Sequence, residues 1–142
     1  MHDAVMAAVE GQHIFIGVAA VADWRPAQAH EQKLKKVDGH ANPTITMAEN
    51  PDILAAVARL PNAPYCVGFA AESHDLARQA RAKRERKGVP LMVGNLGPAT
   101  FGRDENQLLL IDAQGETELP LADKLSLARQ LVSEIAQRIT KA

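Results

Sequence analysis

The stretch that decides the fold is Ile14-Phe15-Ile16-Gly17-Val18-Ala19-Ala20-Val21-Ala22-Asp23-Trp24-Arg25-Pro26. An apolar run leads into small residues, then meets Asp, Trp, Arg and Pro where a strand should end. The run from His13 to Ala22 reads as a strand covered on both faces, the pattern of a parallel sheet. In open α/β sheets, ligands bind outside the carboxyl ends of the strands. Small residues at such an end let a ligand approach the backbone, and the polar cluster supplies chemistry. Val67-Gly68-Phe69-Ala70-Ala71-Glu72-Ser73 repeats the logic. The two strand ends are therefore expected to form one shared site.

Upstream, Met1 to Gly11 reads as the end of an amphipathic helix, with Ala4, Val5, Ala8 and Val9 on one face. A bare helix before the first strand implies a domain truncated at its N-terminus, the single domain spanning residues 1–142. Downstream, residues 24–43 are polar and basic and end at Pro43, the composition of a lid-like loop. Thr44 to Met47 fits a short strand. Asn50-Pro51-Asp52 is a helix start, with Asn50 as N-cap and Pro51 in the first helical position. That helix runs to about Leu60, with Ile53, Leu54, Val57 and Leu60 inward. Tyr65 to Ala71 is the next buried strand. Ser73 then caps a helix reaching Lys87, and Gly88 stops it. Leu91 to Val93 is a short strand. Asn106 to Asp112 and Thr117 to Leu119 flank the turn Ala113-Gln114-Gly115. Ala122 to Ile139 is a closing helix, with Leu125, Leu127, Leu131, Ile135 and Ile139 inward. The alternation of strands and helices predicts an α/β, Rossmann-like three-layer sandwich. Its sheet is mostly parallel, with an antiparallel edge allowed near the C-terminus.

With 142 residues and a net charge of −1, the chain is one domain and not one built around a polyanion. Nucleic-acid binding would want a basic stripe and stacking aromatics, yet only one Trp, one Tyr and three Phe are present. The single Cys, Cys66, cannot form an internal disulfide, which fits a reducing cytoplasm. It lies in an apolar strand and reads as a small core residue rather than a nucleophile. No apolar run is long enough for a bilayer and no signal peptide is evident. The five His lack zinc-ligand spacing, and there is no Gly-x-Gly-x-x-Gly, phosphate-binding Walker loop or nucleophile elbow.

The chemistry-bearing residues each admit two readings. Lys83 and Lys87 are one helical turn apart and share a face, so they either hold a triphosphate or solvate the helix. Lys33-Leu34-Lys35-Lys36 either closes over phosphates or is a solubilising charge run. Asp23 either accepts hydrogen bonds from a base or ribose or pairs locally with Arg25. Phe69 either stacks on a base or packs in the core.

Taken in order, these segments resemble phosphopantothenate–cysteine ligase, the C-terminal half of the bifunctional DFP-family flavoprotein of bacterial coenzyme A synthesis. The matching residues are Ala19 to Pro26, Lys33-Leu34-Lys35-Lys36, Asn50-Pro51-Asp52-Ile53-Leu54, Val67 to Ser73, Lys83 with Lys87, and Phe101 through Asn106. The resemblance implies that CTP activates the carboxylate of 4′-phosphopantothenate as an acyl-cytidylate, with Mg²⁺ neutralising phosphate charge. The amine of L-cysteine then displaces CMP. It also implies that Gly17, Val18 and Ala19 let the nucleotide approach the strand, and that Asp23 binds its polar edge. Pro51, Asp52, Ile53 and Leu54 would present a helix N-terminus, and Phe69 would pack at the base. Lys33 would act as the catalytic lysine on the triphosphate, with Lys83 and Lys87 holding charge from the far side. No metal ligands are assigned. FMN belongs only to the decarboxylase half of the family's bifunctional protein, and a homodimer is the expected assembly. The family's Gly-rich loop and Asn segment precede the part matched here, so the isolated chain is expected to be inactive. The strand after the basic helix usually ends in Asn-Asp, where this chain has Asn95-Leu96. The alternative is a non-catalytic nucleotide-binding or dimerisation fragment.

Overall fold

Along the chain, α1 (His2–Ala8), β1 (Ile14–Gly17), β2 (Trp24–Pro26), β3 (Met47–Glu49) and α2 (Ile53–Ala58) come first. They are followed by β4 (Tyr65–Glu72), α3 (Leu76–Lys87), β5 (Leu91–Leu96), β6 (Glu105–Ile111), β7 (Glu116–Asp123) and α4 (Lys124–Lys141). This computed structural model describes residues 1–28, 32, 44–97 and 102–141. Two compact units emerge, Met1–Val18 with Ile53–Ala142, and Ala19–Asp52.

In the larger unit the strand order is β1-β4-β5-β6-β7. β1, β4 and β5 pair in parallel, and β5-β6 and β6-β7 are antiparallel. The expected antiparallel edge is therefore a β6-β7 hairpin at the C-terminal side. Alternation along β4 sends Cys66 and Ala70 to one face and Val67 to the other. On the Val67 side lie Leu127, Leu131 and Ile135 of α4, spaced one turn apart. On the Cys66 side lie Val9 after α1, Val57 of α2 and Ala80 of α3. The result is the expected helix–sheet–helix sandwich. Cys66 is a buried core residue, as read from the sequence; its Sγ donates to Pro64 O at 3.3 Å. Burial pushes its thiol pKa up, so the reactive thiolate is disfavoured.

Several boundaries differ from expectation. The predicted strand His13–Ala22 is regular only over Ile14–Gly17, and it is not covered on both faces. It lies at the sheet edge, leaving Ile14 43% and Ile16 39% exposed. Leu125 points out of α4 at 61% exposure, because the helix starts at Lys124 and its inward row begins with Leu127. Asp123 sets that start, accepting from the Ser126 N–H at 2.9 Å. Ser73 does not cap α3; its Oγ pairs with His74 Nδ1, and Asp75 occupies the N-cap position at φ 47°. Gly88 does end α3, at φ 68°, with its N–H on Arg84 and Glu85 carbonyls.

In the smaller unit, β2 and β3 form an antiparallel ribbon, with Trp24 opposite Glu49. The short strand expected at Thr44–Met47 is found at Met47–Glu49. Asn50 is not a helix cap. Its Nδ2 donates to Ala22 O at 2.8 Å and its Oδ1 accepts from Arg25 Nη1 at 2.9 Å. Arg25 also donates to Glu49 O at 2.7 Å. Most of the lid-like loop, including Lys33, lies outside the described residues. Among the described residues no helix is long and apolar enough to cross a membrane.

Candidate functional site

In register, β1 ends beside the middle of β4, and β4 and β5 end together. Gly17 closes β1 and lies in register with Gly68 of β4, and Glu72 closes β4 in register with Leu96 of β5. Leu54, near the start of α2, covers the glycine pair. A Cβ on Gly17 would lie 3.5 Å from Leu54 Cδ1; one on Gly68 would lie 2.6 Å from Leu54 Cδ2 and 2.9 Å from Met92 Cε. The missing side chain at Gly68 is thus what lets α2 approach the sheet. Three of the sequence-predicted positions, Gly17, Leu54 and the Gly68 motif, do come together. Gly68→Ala should move Leu54 and Met92 and cost about 1–2 kcal/mol, since both can give way. Urea unfolding would measure it, and an unchanged stability would show that the fit is looser than these distances.

The basic helix separates its arginines from its lysines. Arg78 pairs with Asp75, Arg81 Nη2 lies 2.6 Å from Glu116 Oε1, and Arg84 Nη1 donates to Val89 O at 3.3 Å. Arg78 and Arg84 bond close by in sequence, and Arg81 ties α3 to β7. Lys83 Nζ instead lies 3.5 Å from Glu72 Oε1, at the carboxyl end of β4. Lys87 follows one turn later in the last turn of α3. Glu72 is the group that the sequence reading passed over, although it stands inside a quoted motif. An acidic residue closing a strand of small residues is the signal that could have found it.

Phe69 is half-buried and packs against the α4-side cluster. Ile53 is half-buried and Val18 exposed in the larger unit. Ala19, Asp23, Pro51 and Asp52 are exposed residues of the smaller unit. Among the described residues no group of three or more His, Cys, Asp or Glu could hold a metal ion. A cavity of about 370 Å³, lined by Leu76, Leu96, Asn106 and Leu121 among others, opens beside the end of β5. A second, of about 550 Å³, lies near the opposite end of the sheet, by Tyr65, Pro90, Asp112 and Arg138. That region is built on a structural ion network, in which Asp112 accepts from Arg138 Nε at 2.8 Å and from the Gln114 and Gly115 N–H groups.

Comparison with known proteins agrees with this architecture. The DNA/pantothenate metabolism flavoprotein C-terminal domain matches over residues 1–139. The coenzyme A biosynthesis bifunctional protein CoaBC of Vibrio vulnificus is 45% identical over 139 residues, which is 95% of this chain and 35% of that protein. CoaBC of Escherichia coli is 44% identical over 143 residues, 97% of this chain and 35% of its own length. The chain thus spans about a third of the curated relatives it matches. A crystal structure of the C-terminal domain of CoaBC superposes with a TM-score of 0.77 at 25% identity, covering 99% of this chain and 62% of that one. With strand order, crossover helix and sequence all in agreement, the chain belongs to the family of the DNA/pantothenate metabolism flavoprotein C-terminal domain.

Proposed function

We propose that this chain is the nucleotide-handling part of a phosphopantothenate–cysteine ligase of coenzyme A synthesis. The observation that carries the reading is the stretch of β4 from Gly68, beside the carboxyl end of β1, to Glu72 at its own carboxyl end. There a glycine pair lies under Leu54, and the end of β4 brings Glu72 to Lys83. Strand ends of this kind are where open α/β sheets bind ligands. Lys83, which reaches the carboxyl end of β4, and Lys87 one turn later share one face of α3 and are taken as the phosphate-binding cations.

In this reading CTP is the nucleotide. The carboxylate of 4′-phosphopantothenate attacks its α-phosphorus, releasing pyrophosphate and forming an acyl-cytidylate. The amine of L-cysteine then attacks the acyl carbon, releasing CMP. Gly17, Val18 and Ala19 offer backbone to the nucleotide, and Asp23 takes its polar edge. Pro51, Asp52, Ile53 and Leu54 present a helix N-terminus, and Phe69 packs at the base. Lys33, Lys83 and Lys87 bind the phosphates. The described residues do not form a Mg²⁺ cage, so the ion would arrive on the phosphates, as Mg²⁺ commonly does. Cytoplasmic location and a homodimer are part of the same proposal.

Calorimetric titration of the chain with CTP in the presence of Mg²⁺, with ATP as comparator, tests the reading. CTP should bind more tightly than ATP. Absence of CTP binding would overturn the assignment. Lys33→Ala should weaken CTP binding about tenfold, the loss of one charge-assisted phosphate contact. An unchanged affinity would remove Lys33 from the site.

A further inference from the structure

We propose that Glu72 is a positioning residue that holds the Lys83 ammonium ready for the nucleotide's phosphates; this rests on the nucleotide reading above. Glu72 continues the row Cys66, Gly68 and Ala70 on the helix-covered face of β4, by the two-residue period of a strand. That row is otherwise small or apolar, and Glu72 is only 16% exposed at its side chain. A carboxylate so covered requires a cation. Lys83 supplies it from α3 across 3.5 Å, itself 30% exposed.

The pair has a consequence for binding. A lysine carries three N–H donors on a long flexible stem. One donor directed at Glu72 fixes the ammonium at the carboxyl end of β4 and leaves others for phosphate oxygens. The rotamer freedom that an untethered lysine would lose on binding is then already restricted in the free protein. Lys83 would bridge Glu72 and phosphate rather than exchange one for the other. Lys87 stands a turn farther along α3, toward the helix end that precedes β5.

The test is a double-mutant cycle on the 142-residue chain, read by titration with CTP and Mg²⁺. Glu72→Ala should weaken binding about fivefold in the otherwise unchanged chain and not at all in the Lys83→Ala background. Glu72→Gln keeps the reach and an acceptor oxygen, and should bind within about twofold of the parent chain. Glu72→Asp keeps the charge but shortens the reach, so it should resemble Glu72→Ala; it supplies the same cycle if the alanine variant does not fold. Equal losses with and without Lys83 would overturn the proposal, because a merely structural glutamate acts in both backgrounds. So would an unchanged affinity in Glu72→Ala and Glu72→Asp. Failure of the parent chain to bind CTP would overturn the nucleotide reading and this proposal together. Binding by the parent without coupling would overturn this proposal alone.

Discussion

A chain carrying both Lys83→Ala and Lys87→Ala should bind CTP on the order of a hundredfold more weakly, with each single change costing about tenfold. The expectation rests on how α3 distributes its cations. Helical spacing puts Lys83 and Lys87 on one face, whereas Arg78, Arg81 and Arg84 bond to Asp75, Glu116 and Val89. Removing these arginines should alter stability more than affinity. Arg86 is exposed and lies off the lysine face, so Arg86→Ala serves as the charge control. It lowers the net charge by the same amount as a lysine change, and should move affinity less than threefold at about 0.15 M salt, where exposed charges are screened within about 8 Å. A control that loses as much as Lys83→Ala would mean that the helix acts as a diffuse basic patch. Losses confined to the lysines would mean that particular ammonium groups reach the ligand.

The layers of this fold were legible because burial imposes period. Leu127, Leu131 and Ile135 recur at helical spacing, and β4 is a run of apolar and small residues bounded by Pro64 and Ser73. Gly88 marked a helix end because only a glycine-like φ completes that turn cheaply. What failed was inference at polar boundaries. Asn50 carries every sign of an N-cap, yet its side chain ties Ala22 to Arg25 in the β2-β3 ribbon. Local sequence cannot show that a distant guanidinium will take the side-chain oxygen that a cap would use. The extent of β1 was overread for a related reason. Apolar composition alone does not show where regular pairing stops, and β1 pairs with β4 only over Ile14–Gly17. At the site, the glycine pair was visible as small residues near strand ends. Its partner Leu54 was visible as an inward residue of the next helix but not as the cover of the glycines, and the link from Glu72 to Lys83 not at all. That link spans 11 residues and requires the crossover geometry of β4 and α3.

Arg138→Ala should destabilise the protein by about 3–5 kcal/mol near neutral pH, the usual penalty for stranding one member of a covered ion network. Arg138 sits where three elements meet. Its Nε donates to Asp112 at the end of β6, its Nη1 to Glu134 of α4 and its Nη2 to Thr117 of β7 at 3.2 Å. Asp112 is 9% exposed. Burial alone would raise its carboxyl pKa, but the hydrogen bond from Arg138 and those from the Gln114 and Gly115 N–H groups together hold it below 3.8. A carboxyl depressed in the folded state contributes stability that is fully present above its unfolded value and is lost as pH falls through the folded one. Without Arg138, its hydrogen bond and its charge no longer lower the Asp112 pKa, which therefore rises. Protonation then relieves the stranded charge in the variant while it removes the favourable pairing in the parent. The stability gap should therefore be widest near neutral pH and narrow below about pH 4. Urea unfolding of parent and variant across that range would reveal it. A gap that stays constant with pH would show that Arg138 acts through packing of its stem rather than through its charge. A gap under about 1 kcal/mol at neutral pH would show that the backbone N–H groups suffice to hold Asp112.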